Sequence, residues 1–511
     1  PASAPVWYKP HRMPTRLRRL PGSTLVVIVG ALLVATVLRL WRIGAGLDHG
    51  EVHPDEFRWF LRSAGFVPLS CSSFDLDPTL FFYPTLFGYV AGLATAIAHA
   101  TGILVGDPFI AVPQIILIAR LVAAAFGVLA VAIVGLAAWR MYSPTAALIA
   151  MAFAALDPVA LIQLHAYASV DVPLVSCFAL TVLAAYRLAV QGTARAALIG
   201  GAFVGLSFAT KYPGLASLAP VGLGVVEVYR RERDLRRAAI LFGSVVLGLV
   251  AAVIVACPPC VLRSDAMLAG IARSGRALGE QHIFAIYPAL GWYARPYLYQ
   301  AFASLPFSFG WPLYLIVLYG VVVAIRRHTL ADRIVLAAVV PYLIVFGGAG
   351  AWMPRYILPA LSWMTVLAAR ALADLRVRHQ RAADLLLVAA WGYSLVFATS
   401  LVAAATTPQG AEVAAWIAGH PPARAAAGDQ PIRVGFPSKT GGYVALGLGA
   451  YLRGAGLVPV ADGNGNWLGF VEEGPSRFPF VAPVNQPTGP QFCALDAGDV
   501  NGDGHLDIYF S

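Results

Sequence analysis

The run Ser23 to Trp41, STLVVIVGALLVATVLRLW, is followed closely by His53-Pro54-Asp55-Glu56, and the two stretches together decide the reading of the chain. The first has about the twenty apolar residues that a membrane-spanning helix needs. The second sets two adjacent carboxylates beside it, where an ionisable group is costly and marks a functional site by default. The pair also opens a long, aromatic-rich loop. Chemistry at a membrane surface fits that arrangement better than transport or structural support.

Composition extends the reading to the whole chain. Of 511 residues 59% are hydrophobic and 12% charged, with a mean hydropathy of +0.72. Soluble domains are about 25% charged, so an all-α polytopic membrane protein is expected. The formal net charge of +10 does not point to nucleic acid. The basic residues fall in short clusters between apolar runs, as the positive-inside rule requires. Lysine occurs only at Lys9, Lys211 and Lys439, while Arg and Ala abound, which suggests a GC-rich bacterial genome and a bacterial inner membrane. The basic start, residues 1–22, feeds the first run with no small-residue cleavage site, so a retained signal anchor is expected. The five cysteines form no disulfide framework. Cys257-Pro-Pro-Cys260 lacks a thioredoxin-like context and reads as a helix-terminating Pro-Pro with incidental thiols.

Spans are expected near 23–43, 113–139, 145–163, 171–190, 196–211, 213–229, 238–257, 306–325, 333–350, 354–373 and 383–405. The apolar stretch 80–105 is settled by charge. If it crossed, the clusters at Arg140, Arg187/Arg195, Arg230–Arg237, Arg326/Arg327/Arg333 and Arg376/Arg378/Arg381 would all flip outward. It therefore reads as an interfacial or re-entrant helix, broken by Tyr83-Pro84. About eleven spans result, with the N-terminus cytoplasmic and the C-terminus extracytoplasmic. Arg39 and Arg42, at the outer end of the first span, are a local exception. The outer segments are the loops 44–112 and 258–305 within a membrane domain 23–405, and a C-terminal region.

Chemistry is then expected on the outer face. Asp55 or Glu56 can act as general base on an acceptor hydroxyl or hold a divalent metal, and can equally sit at the positive end of a helix. Asp171 stands at the outer start of the fourth span with Pro173 just inside, as a helix N-cap or as a second carboxylate of the same site. His165 nearby is an interfacial histidine or a ligand. Lys211, between two short apolar segments, must pair with something; a lipid phosphate is the natural anion, and snorkelling to the interface is the alternative. Arg120 and Arg355 suit bidentate phosphate recognition. Glu280 and His282 lie in the loop 258–305 as metal or substrate contacts, or as an exposed polar turn. His53 precedes the acidic pair and is a further candidate.

With these positions in place, the chain resembles the GT-C superfamily of polyprenyl-phosphate-sugar glycosyltransferases, in particular its protein O-mannosyltransferase and lipid A aminoarabinose-transferase branch. The resemblance runs over about 23–373. It rests on His53-Pro54-Asp55-Glu56, Tyr83-Pro84, Ala119-Arg120-Leu121 with Phe126-Gly127-Val128-Leu129, Ala168-Ser169-Val170-Asp171-Val172-Pro173, Ala209-Thr210-Lys211 and Pro354-Arg355-Tyr356-Ile357-Leu358-Pro359-Ala360. It implies transfer of a mannose-like sugar from a polyprenyl-phosphate donor to a protein, lipid or glycan acceptor at the outer face. Asp55 would then be the base, assisted by Glu56 and Asp171 or by a metal they hold. Arg120, Lys211 and Arg355 would bind the donor phosphate. A membrane transporter of a lipid-linked or anionic substrate is the alternative, but no internal repeat is visible and the charges lie at span ends rather than at midplane.

From Thr406 the composition turns soluble, and a small extracytoplasmic α/β region is expected over 406–490. Glu412–Ile417 reads as a short helix, Pro431–Phe436 as a strand and 462–490 as loop. In 491–511, Asp499, Asn501, Asp503 and Asp507 place oxygens at positions 1, 3, 5 and 9 of a calcium loop. Gly504 stands at position 6, and His505 supplies a backbone carbonyl. Phe510 stands where an EF-hand has its bidentate Glu, so the segment resembles the shorter loop of FG-GAP repeats or dockerins, with an Asp/Asn/Gly turn as the alternative.

Overall fold

The structure, a computed structural model, describes residues 22–47, 56, 83–104, 112–165, 168–279, 296–348 and 354–406, and five strands beyond them. The helices are α1 (Gly22–Leu40), α2 (Leu86–Ala100), α3 (Val112–Met141), α4 (Pro144–Ala155), α5 (Pro158–His165), α6 (Asp171–Gln191), α7 (Ala194–Thr210), α8 (Leu218–Glu232), α9 (Leu235–Ala256), α10 (Pro258–Leu262) and α11 (Ser264–Gly279). They continue with α12 (Pro296–Tyr299), α13 (Leu305–Phe309), α14 (Trp311–Arg327), α15 (Leu330–Gly347), α16 (Leu358–Arg378) and α17 (Gln380–Thr406). The chain is a multi-pass membrane protein.

Among the described residues, seven helices are long and apolar enough to cross a bilayer, or eight if the bent pair Pro296–Phe309 and Trp311–Arg327 is one span. Eleven were expected, and the difference lies in segments that length alone does not qualify. Thr24–Leu40 and Ala194–Thr210 are apolar but short. The expected span 213–229 is divided into a 3-10 turn, Tyr212–Ser217, and the charge-tipped α8. Pro213 and Gly214 cause the division: the ring removes an N–H, and Gly214 lets the turn fold onto the Ser207 carbonyl, where a Cβ would collide. Likewise 306–325 breaks at Gly310, whose φ of +69° is one that glycine adopts at little cost. The stretch 80–105, expected to lie in the interface, holds α2, 15 residues long and preceded by Tyr83-Pro84.

Burial divides the bundle. The span windows of α6 and of Pro354–Arg378 are 83% and 89% buried, whereas those of α9 and α17 are 22% buried. The first two are therefore the core, packed around Phe178, Tyr342 and Trp363, and the second two present their apolar side chains outward. α7 and α9 pack backbone to backbone: Cβ atoms added at Gly201 and Gly248 would strike the Val245 and Leu198 carbonyls. Small residues allow such close approach between membrane helices.

Side-chain contacts sort the helix ends into two groups. At the arginine-rich end, Tyr142 donates to Asp332 (3.0 Å), Arg333 forks onto Glu227 (2.6 and 3.1 Å) and Arg237 donates to the Gly192 carbonyl (2.9 Å). Thr329 and Asp332 form a capping box that starts α15. The opposite end gathers the end of α1, the starts of α3, α6 and α16, and the ends of α5, α7 and α9. There Cys257 and Cys260 are bridged by a disulfide. Pro258 and Pro259 turn α9 directly into α10 and bring the two Cα atoms to 5.3 Å, so the thiols expected to be incidental are joined.

Beyond α17, β1 (Arg433–Gly435), β3 (Trp467–Glu472) and β2 (Leu457–Ala461) form an antiparallel sheet in that order. β1 lies within the expected strand 431–436, and the expected helix 412–417 lies outside the described residues. β4 (Leu495–Gly498) pairs antiparallel with β5 (Asp507–Phe510), Gly498 opposite Asp507. Asp507 thus opens β5; Asp499, Asn501, Asp503 and His505 lie outside the described residues.

Candidate functional site

Two buried ion pairs occupy the end of the bundle opposite the arginine-rich end. Arg120, 2% exposed on α3, meets Glu56, which is fully buried. Nε donates to Oε1 at 2.7 Å and Nη2 to Oε2 at 2.9 Å. Nη1 donates to the carbonyls of Ile43 and Ala45, both at 2.9 Å. Glu56 Oε1 also accepts from the Ala168 N–H at 2.7 Å. The guanidinium thus joins three segments: the turn after α1, Glu56 in the first loop and, through Glu56, the approach to α6. Its rigid planar fork suits this in a way a lysine would not.

In the second pair, Lys211 Nζ lies 2.6 Å from Asp171 Oδ1. α6 begins at Asp171, but the carboxylate does not cap it. Ser169 Oγ donates to Oδ2 at 3.0 Å and accepts from the Asp171 N–H at 3.1 Å, which aims the free oxygen at Lys211. Lys211 follows α7 with extended backbone, and the 3-10 turn behind it holds it at the bundle end. Tyr83 and Tyr356 face the ammonium, with ring centroids at 5.6 and 5.3 Å. Arg355 lies over Tyr356 too, 5.4 Å from its centroid. Two cations therefore share one aromatic ring. Cations over ring faces are stabilised electrostatically by the ring.

His165, 4% exposed at the end of α5, bonds through Nε2 to the Leu38 carbonyl at 2.8 Å; it serves the backbone of α1. Asp55, His53, Glu280 and His282 lie outside the described residues. Among the described residues, no group of three or more His, Cys, Asp and Glu is gathered for a metal. Both Glu56 oxygens and both Asp171 oxygens are engaged by protein donors, so this pair of acids does not fit a divalent ion. Tyr83, Tyr356 and Ser169 were not expected to act. Tyr356 stands beside Arg355 in sequence, and Ser169 lies two residues before Asp171, which were the available signals.

The family model of dolichyl-phosphate-mannose-protein mannosyltransferases matches residues 114–258, which include Arg120, Asp171 and Lys211. Among solved structures, ArnT from Cupriavidus metallidurans in the apo state is similar with a TM-score of 0.50 at 17% identity, over 84% of each chain. The same protein bound to undecaprenyl phosphate gives 0.48 at 18% identity, over 84% of this chain and 85% of that one. The oligosaccharyltransferase AglB from Archaeoglobus fulgidus, in complex with an inhibitory peptide and a dolichol-phosphate, gives 0.47 at 15% identity over 78% of this chain. This chain spans 58% of that protein's length. No curated protein sequence matches. The chain has the fold of ArnT, and its residues 114–258 resemble the dolichyl-phosphate-mannose-protein mannosyltransferases.

Proposed function

We propose that this chain is a membrane glycosyltransferase that moves a mannose-like sugar from a polyprenyl-phosphate carrier to a protein, lipid or glycan acceptor. The observation that carries the proposal is the pair Lys211 and Arg355, set on the two-tyrosine platform beside Asp171. A lipid phosphate is the ligand such cations suit at a bilayer boundary. The match of residues 114–258 to a family that uses lipid-phosphate mannose supports the same donor.

In this reading Asp55 takes the proton of the acceptor hydroxyl. The acceptor oxygen bonds to the anomeric carbon, the bond from that carbon to the phosphate oxygen breaks, and polyprenyl phosphate leaves with the electron pair. Lys211 and Arg355 stabilise the charge developing on the phosphate. Arg120, committed to Glu56, supports the site from behind. The bundle end with the two ion pairs is the extracytoplasmic face of a bacterial inner membrane, because the arginine-rich end is then cytoplasmic. Residues 499–507 bind Ca2+ as a connector between β4 and β5, apart from the transfer chemistry.

Purified protein and its Asp55→Asn variant, incubated with radiolabelled polyprenyl-phosphate-mannose and a membrane extract, test the reading. Label should move with the wild type and not with the variant. If folded wild type moves no sugar from any lipid-phosphate donor, a transporter is the better reading.

A further inference from the structure

Arg39, the residue that breaks the positive-inside pattern, is 2% exposed and faces neither lipid nor solvent. Its Nη1 donates to the carbonyls of Ala35 and Ala155 at 3.2 and 3.1 Å, and Nη2 to Ala154 at 3.3 Å. Ala154 and Ala155 end α4, and the last carbonyls of a helix lack intrahelical donors. The break at Leu156-Asp157 exposes them, and Asp157 spends its carboxylate on the first N–H groups of α5, at Val159 and Ala160. From the far end of α5, His165 reaches back to Leu38, the residue before Arg39. Two links thus tie the last turn of α1 to the α4–α5 break and to the end of α5. Gly127 of α3 makes room for the guanidinium: a Cβ there would lie 2.7 Å from Arg39 Nε and 3.2 Å from Val172 Cγ1. Val172 is the neighbour of Asp171. The next residues after α1, 41–47, form the turn whose carbonyls Arg120 holds.

We propose that Arg39 is a positioning residue: it clamps the end of α1 to the α4–α5 break and so fixes the turn whose carbonyls Arg120 holds while it pairs with Glu56. The proposal rests on the transferase reading for its effect on rate, but its geometry can be tested without it. Removing the clamp loosens the turn that Arg120 ties to Glu56, next in sequence to Asp55, without touching the phosphate cations. Arg39→Met should therefore lower kcat about 10- to 100-fold, the cost of a displacement near 1 Å, with the donor KM within about threefold. Arg39→Lys, which keeps a donor but loses the fork, should recover part of kcat. Gly127→Ala keeps every donor yet pushes the guanidinium aside, and should lower kcat in the Arg39 background but add little to Arg39→Met, as a coupled pair does. Hydrogen exchange of the full chain in lipid nanodiscs gives the independent arm. Arg39→Met, or Gly127→Ala if that variant does not fold, should speed exchange over 41–47 and 158–165 and leave 327–333 unchanged.

A kcat per folded molecule within about twofold of wild type for Arg39→Met overturns the proposal. So does full additivity with Gly127→Ala, or unchanged exchange in both segments. If wild type moves no sugar, the transferase reading falls, and the exchange arm alone decides whether the clamp stands.

Discussion

Glu56 and Arg120, 64 residues apart, close on each other through both carboxylate oxygens in a site from which water is almost excluded. Removing one member of such a pair leaves an unpaired buried charge, at a cost of about 3–5 kcal/mol. Glu56→Gln should lower the thermal midpoint clearly and abolish transfer. Replacing both residues by Met should recover stability but not activity, since the tie between the turn after α1 and the approach to α6 is gone. Thermal unfolding of the purified variants separates the two outcomes; an unchanged midpoint for Glu56→Gln would show that the pair is not formed.

Lys211→Met should weaken binding of a fluorescent polyprenyl phosphate about 10- to 100-fold, the worth of one charge-assisted contact. It also strands Asp171. The double variant Asp171→Asn/Lys211→Met removes both charges, so it should fold better than Lys211→Met yet bind the lipid no better. If the double variant binds like wild type, the phosphate is held elsewhere.

The Cys257–Cys260 bridge closes a loop with a sequence separation of only 3. A loop that short is worth about 2 kcal/mol by chain entropy. Intact mass should show two hydrogens fewer than the reduced chain, and reductant should lower the thermal midpoint by a few degrees with activity kept. A full complement of free thiols in protein purified without reductant would remove the bridge.

At the arginine-rich end, burial first and the Asp332 carboxylate second hold the Tyr142 phenol well above its usual range. Its folded pKa exceeds its unfolded value near 10. The resulting stability is fully present below about pH 10 and is lost as pH rises through the folded value. Tyr142→Phe should flatten the alkaline fall in stability. An alkaline limb of the same steepness in both proteins would assign it to other groups.

The seven long spans among the described residues were legible because twenty apolar residues between arginine clusters leave few other readings. Their breaks were less so. Pro213-Gly214 and Asp157-Pro158 were visible as residues, but whether such a pair ends a helix or bends it depends on what receives the freed carbonyls. Glu56 and Arg120 were both singled out, one as an acid and one as a phosphate ligand. Their pairing was hidden by sequence distance, as was that of Asp171 with Lys211. Arg39 looked like an exception to a charge rule because the rule concerns water-facing ends, and its partners are backbone carbonyls that no pattern of side chains reveals.

The backbone contact between α7 and α9 has a mechanical consequence. α7 has 17 residues and α9 has 22, so they are about 26 and 33 Å long. Helices that cannot slide past each other share one depth, and the longer, lipid-facing α9 sets it. Lys211, at the end of α7, therefore rides at a height fixed by its neighbour's hydrophobic length, and a thicker or thinner bilayer shifts that lysine relative to the lipid headgroups.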